Sequence, residues 1–167
     1  MKKFITLVLV SVFALCGCIK DMDPFQGGDG VRVNVNGRKC VMVGVLGGRY
    51  AQLNNTGDTG EFSTTISLMS SMPDNMMFDL AFAIKENEPL VINKEYKVGS
   101  GNSTVGMTGF SVGASQESRI PLQGWVKFIS LGTTIQARFE LDGKGEDGTG
   151  YALRHGFLRL KQKEERQ

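Results

Sequence analysis

One histidine, one tryptophan and three cysteines in 167 residues leave little material for several kinds of chemistry. His155 is the only imidazole, so any Ser-His or Cys-His nucleophile would have to be built on it. Its neighbours Arg154 and Gly156 form no Gly-x-Ser-x-Gly elbow. A strand histidine pinned by a backbone hydrogen bond is the expectation, and no further ligands accompany it for a zinc site. Gly99-Ser100-Gly101 and Gly143-Lys144-Gly145 lack the complete glycine-lysine patterns and the strand-to-helix setting that cradle phosphates. Long apolar runs are missing too. The most extended, Phe4 to Cys16, is 13 residues broken only by Thr6 and Ser11, short of the about 20 that a membrane-spanning helix needs. The formal charge of +2 is too small to argue for nucleic acid, where neutralising phosphates supplies much of the affinity.

What is present starts with that short run. Met1-Lys2-Lys3, the apolar stretch and then Leu15-Cys16-Gly17-Cys18 resemble a bacterial lipoprotein signal with its processing box: an aliphatic residue at −3, a small one at −1, then the modified cysteine. Cleavage before Cys18 is expected, because modifying Cys16 would put Leu15 at the −1 position. The resemblance implies acylation of Cys18, and several acyl chains on one residue anchor far better than the single chain whose binding is only marginal. Residues 1–17 carry Lys2 and Lys3 as their only charges, so the mature 150 residues hold 17 basic and 17 acidic side chains. Ile19, where Asp would signal inner-membrane retention, implies the outer membrane. Lys20-Asp21-Met22-Asp23 resembles, with Met22 interrupting, the surface-export signal of Bacteroidetes lipoproteins; the periplasmic and surface faces both stay open. With Cys16 removed and Cys18 acylated, Cys40 has no disulfide partner and is expected to be a small buried strand residue.

Residues 18–30 read as a flexible, Gly-rich tether. Residues 31–160 read as one domain, and 161–167 as a polar tail. Within the domain the apolar spacing has period two. Val31, Val33 and Val35 lead into Asn36-Gly37, a type I′ hairpin signal. Phe62, Thr64, Ile66 and Leu68 share one face against Glu61, Ser63, Thr65 and Ser67. Met76, Phe78, Leu80, Phe82 and Ile84 form a second face, and Ile135, Ala137, Phe139 and Leu141 a third. Turn chemistry over 54–60, 86–89, 99–102 and 142–148 separates the strands, and one helical turn is expected at 70–75. Many short strands with Gly-rich turns predict an all-β fold: an antiparallel β-sandwich of roughly 8–10 strands, or alternatively an open or closed antiparallel β-barrel.

Val35-Asn36-Gly37, Asn93-Lys94-Glu95-Tyr96, Gly124-Trp125-Val126-Lys127-Phe128 with Phe139-Glu140-Leu141, and His155-Gly156-Phe157 resemble a set of small Bacteroidetes lipoproteins over most of 31–160. The resemblance implies a β-sandwich domain at the cell envelope and carries no catalytic residue across.

Candidate chemistry is sparse. Asp58 with Glu61, and Glu146 with Asp147, are the carboxylate pairs a glycoside hydrolase would need, but both sit in polar turns without the apolar wall that raises a pKa. The same turns are candidate calcium loops, although neither has EF-hand spacing. Met69, Met72, Met76 and Met77 form a methionine cluster, expected as core filler or an adaptable apolar rim. Trp125, Tyr50, Tyr96 and Tyr151 are candidate sugar platforms, with core packing as the competing expectation. The composite expectation is a non-enzymatic, lipid-anchored envelope protein without cofactor or metal. It would meet the membrane through Cys18, would not meet nucleic acid, and would bind a glycan or an envelope protein. A carbohydrate-binding accessory domain is the alternative, and a carboxylate-dependent hydrolase a further one.

Overall fold

The computed structural model describes residues 25, 28–42, 50–70, 77–99, 103–111 and 114–162. Ten strands are found: β1 (Gly30–Val35), β2 (Arg38–Met42), β3 (Tyr50–Thr56), β4 (Thr59–Ser70), β5 (Met77–Glu86), β6 (Glu95–Val98), β7 (Thr104–Ser111), β8 (Ala114–Leu131), β9 (Thr134–Lys144) and β10 (Gly150–Gln162). The described residues contain no helix. The helical turn expected at 70–75 lies, beyond Ser70, outside them, as do residues 1–24 with Cys18 and the last five residues of the tail.

The all-β expectation holds, and the architecture is the closed barrel that stood second to the sandwich. β1, β2, β4, β5, β7, β8, β9 and β10 pair in that order, and the β1–β10 ladder returns the path to its start, so the ladder has no break dividing it into two facing sheets. Eight antiparallel strands enclose an interior that side chains alone can fill. β3 and β6 stand off this ring. β3 pairs with the first half of β4 and, in parallel, with the end of β10, while β6 pairs with the second half of β8. Long strands make closure possible. β8 spans 18 residues, pairs with β7 over its first half, and shifts register against β9 between Phe128 and Ser130. A bulge of that kind bends a strand and adds twist, which carries it around a barrel wall.

Each period-two face of the sequence points inward. Phe62, Ile66, Leu68, Leu80, Phe82, Ile84, Ile135, Ala137, Phe139 and Leu141 are almost wholly buried, as is Cys40. Aromatic rings meet across the lumen: Phe62 of β4 on Phe128 of β8 with centroids 5.2 Å apart, and Phe82 of β5 on Phe139 of β9 at 5.0 Å, both edge to face. Each such side chain contributes about 1.5–3 kcal/mol on burial, so closing the wall around them is the main favourable term.

The turns are tighter than their composition predicts. Asn36 and Gly37 take φ of 49° and 80°, as a two-residue I′ hairpin requires. The polar stretch 54–60 is mostly ladder, with Asn54 to Thr56 paired to Thr59 to Glu61, which leaves two residues for the turn. Likewise β9 continues to Lys144, and Lys161 and Gln162 belong to β10. Backbone pairing overrides polar composition where a neighbouring strand supplies the partner.

Candidate functional site

The outward residues of a closed barrel are its only broad surface, and here they fall into two kinds. On β8, β9, β10 and β1 they are long and charged or aromatic: Trp125, Lys127, Arg138, Glu140, Arg154, Arg159 and Arg32. Over the middle of β4, β5, β7 and the first half of β8, between the Glu61–Lys85 and Met69–Met77 pairs, they are mostly short. Register sets them in three rows: Ser63, Ala83 and Thr104; Thr65, Ala81, Gly106 and Pro121; Ser67, Asp79, Thr108 and Arg119. Their neighbours along the same strands, including Phe62, Ile66, Leu80, Met107 and Leu122, face the lumen. With little side-chain volume above the backbone, the wall sinks into an open depression of about 1000 Å³, edged by Gln52 on β3 and Arg119 on β8. That is the upper end of the usual size of ligand sites.

The chemistry of the depression is mixed. Ser63 Oγ donates to Gln52 Oε1 at 3.4 Å, and Ser67 Oγ donates to Asp79 Oδ1 at 2.6 Å. The hydroxyls of Thr65, Thr104 and Thr108 stand among the methyl groups of Ala81 and Ala83. Asp79 and Arg119 flank Thr108 in one row, so the floor carries one charge of each sign. Strand alternation foretells which residues face out. Their convergence is invisible in the sequence, because β5 and β8 become neighbours of β7 only through pairing.

The residues singled out from sequence do not converge on this depression. Glu61 is ion-paired with Lys85 at 2.6 Å on the exposed wall, and Asp58 sits exposed in the adjoining turn. Asp147 accepts from the backbone N and the Oγ1 of Thr149 at 2.9 and 2.7 Å. Those donors hold its carboxyl below the usual aspartate value, the backbone bond having the larger effect, the opposite of the raised pKa a general acid needs. In the candidate calcium loops Asn55 Oδ1 accepts from Leu90 N, Asp142 Oδ1 from Arg154 Nη2 and Asp147 Oδ2 from Thr149 Oγ1. Among the described residues no three His, Cys, Asp or Glu side chains gather as a metal site.

His155 is exposed, with φ of 53°, at the bulge where β10 shifts register between Leu153 and Gly156. It stands in solvent where a pinned wall histidine was expected, because the bulge turns it away from the ladder. Tyr96 is buried, Trp125 and Tyr151 are partly buried on different strands, and the side chain of Tyr50 lies outside the described residues. Met69 and Met77 are cross-strand partners on the outer wall, while Met72 and Met76 lie outside the described residues.

Comparison with known proteins finds no matching family, no matching curated protein and no matching solved structure.

Proposed function

We propose that this chain is a lipid-anchored protein of the bacterial outer membrane, held through acylated Cys18, whose barrel acts by binding at the depressed outer wall of β4, β5, β7 and β8. It performs no catalysis and carries no cofactor. The observation that carries this reading is the paving of that wall with Ser, Thr, Ala, Gly and Pro over two successive rows, with one Asp and one Arg in the third. The opposite side of this barrel carries long charged side chains instead. Short side chains let a partner approach the sheet closely, and the alternating hydroxyls and methyls offer both hydrogen bonds and apolar contact. The likeness of Leu15-Cys16-Gly17-Cys18 to a lipoprotein processing box supports the anchor, and Ile19 supports the outer membrane.

An envelope protein is the partner this surface fits best. A neutral glycan is the second reading, favoured by the hydroxyl and amide groups of Gln52, Ser63, Thr65, Thr104 and Thr108, which match sugar hydroxyls. The test is capture of envelope proteins by the soluble 19–167 chain, run beside a glycan array. Ala81→Arg, which drives a long side chain into the middle row, is expected to abolish capture while leaving the unfolding midpoint unchanged. Capture indifferent to Ala81→Arg would remove the depression from the proposal. Saturable glycan binding lost in the same variant would select the second reading. Cys18→Ala is expected to leave an unlipidated precursor, and normal acyl labelling of that variant overturns the anchor.

A further inference from the structure

Among the described residues, the large apolar side chains left exposed are Val91 at 50% and Ile92 at 53%, adjacent in the 87–94 connection between β5 and β6. This connection is firmly held. Its Leu90 is buried, and both backbone groups of Leu90 bond to the side chain of Asn55. Val91 N donates to Tyr96 Oη at 2.7 Å, and Asn93 N donates to Phe128 O at 2.8 Å. Leu90 and Tyr96 thereby close one end of the barrel beneath the Phe62 and Phe128 rings, and the next two side chains are held out into water. Two β-branched side chains on a fixed support keep apolar area in water whose burial would be favourable.

β1 also begins at this end, where Gly28 N donates to Phe25 O at 2.9 Å and the chain turns back, so that the Phe25 ring lies over Gly30 and 6.0 Å from the ring of Phe157. β1 begins at Gly30 opposite Arg159, and Asp29 Oδ1 accepts from Lys161 N. Lys161 pairs with Thr134, the first residue of β9 and six residues beyond the Phe128 carbonyl that holds Asn93. Cys18 lies seven positions before Phe25, the first residue held on the wall, a reach of at most about 25 Å.

We infer that Val91 and Ile92 are a membrane-contact wedge: the barrel stands with its Leu90-capped end on the bilayer that holds Cys18, and these two side chains enter the headgroup boundary. This rests on the lipid-anchor reading above. A second copy of the chain is the poorer occupant, since two side chains offer far less than the about 800 Å² per partner of a stable interface. The same small area suffices on a bilayer, because the tether already keeps the barrel there at high effective concentration. Lys94, two residues on and held 5.1 Å from the Tyr96 ring, puts an amine at the level of lipid phosphates. Lys85 and Lys127 pair with Glu61 and Glu95, which offsets those two carboxylates, while Glu88 of the same connection is exposed.

The experiment uses full-length, cell-acylated protein carrying Ile92→Cys, labelled with a polarity-sensitive fluorophore and reconstituted into phosphatidylethanolamine–phosphatidylglycerol vesicles. Cys40 is buried and Cys18 is blocked, so the label is specific. Glu146→Cys, in the hairpin at the opposite end, is the companion. The expected result is a blue-shifted Ile92 label, quenched by headgroup-brominated lipid and about fivefold less accessible to iodide than the label at Glu146. Equal iodide access at both positions in acylated, vesicle-bound protein overturns the wedge and leaves the anchor standing. Protein that carries no acyl chain overturns both.

Discussion

The side-chain amide of Asn55 bonds to both backbone groups of Leu90, 35 residues away: Nδ2 donates to the carbonyl at 3.0 Å and Oδ1 accepts from the amide at 2.7 Å. One carboxamide thus does for Leu90 what a paired strand would do, and it fixes the cap over the barrel's end. Asn55→Ala leaves two partly buried backbone groups without partners. The expected loss is about 2–3 kcal/mol in urea unfolding. Asn55→Asp keeps the acceptor but turns an oxygen toward the Leu90 carbonyl, so it should recover little of that loss. A midpoint unchanged in both variants would mean that the cap is held by Leu90 burial alone.

Gly124 sits where β8 leaves β7 for β6, and a Cβ there would collide with the carbonyl oxygen of Glu140 on β9. Backbone cannot yield as a side-chain tip does. Gly124→Ala is therefore expected to cost about 1–3 kcal/mol or more, while Gly132→Ala, at an open position in the β8–β9 turn, should stay within about 0.5 kcal/mol. Thermal unfolding of the two variants side by side reads the difference.

Cys40 is fully buried between Val33 and Ser70, and loss of hydration pushes its thiol above the ordinary value. The thiolate is the reactive species. Folded protein with Cys18 replaced by Ala and Cys16 by Ser should leave an aromatic disulfide reagent unconsumed at pH 8, and the thiol should react fully once guanidinium is added. Prompt reaction in the folded state would contradict the burial.

Asp147 makes a pH prediction. Its folded pKa lies below the ordinary value of 3.8, chiefly through the Thr149 backbone amide and then the Thr149 hydroxyl. Its contribution to holding the 144–150 hairpin is complete above that ordinary value and fades as pH falls through the folded pKa. Carboxyl carbon shifts followed by NMR should place the Asp147 midpoint below 3.8. Thr149→Val removes the hydroxyl donor alone, so the midpoint should rise partway toward 3.8 and no further.

The fold was legible wherever a strand has one wet face. Phe62 to Leu68, Phe78 to Ile84 and Ile135 to Leu141 alternate because water lies on one side and the lumen on the other, and Asn36-Gly37 marks its turn because few residues accept positive φ. Strand ends were less legible. Asn54 to Thr56 and Asp142 to Lys144 look like loop yet lie in ladders, since a backbone pairs irrespective of polar side chains. The candidate site was legible only in fragments. Thr65, Ala81, Gly106 and Pro121 are each unremarkable in sequence, and nothing local announces that they form one row.

The division follows the range of the forces. Alternation, turn chemistry and the likeness of the first eighteen residues to an export signal are local, so the sequence alone determined the class of fold, the inward faces and the expectation of a tether at Cys18. Closure of β1 onto β10, the depression on the outer wall and the cap that holds Val91 and Ile92 in solvent depend on pairings between residues up to 129 positions apart. Those are settled only when the ladder closes and each strand acquires its second neighbour.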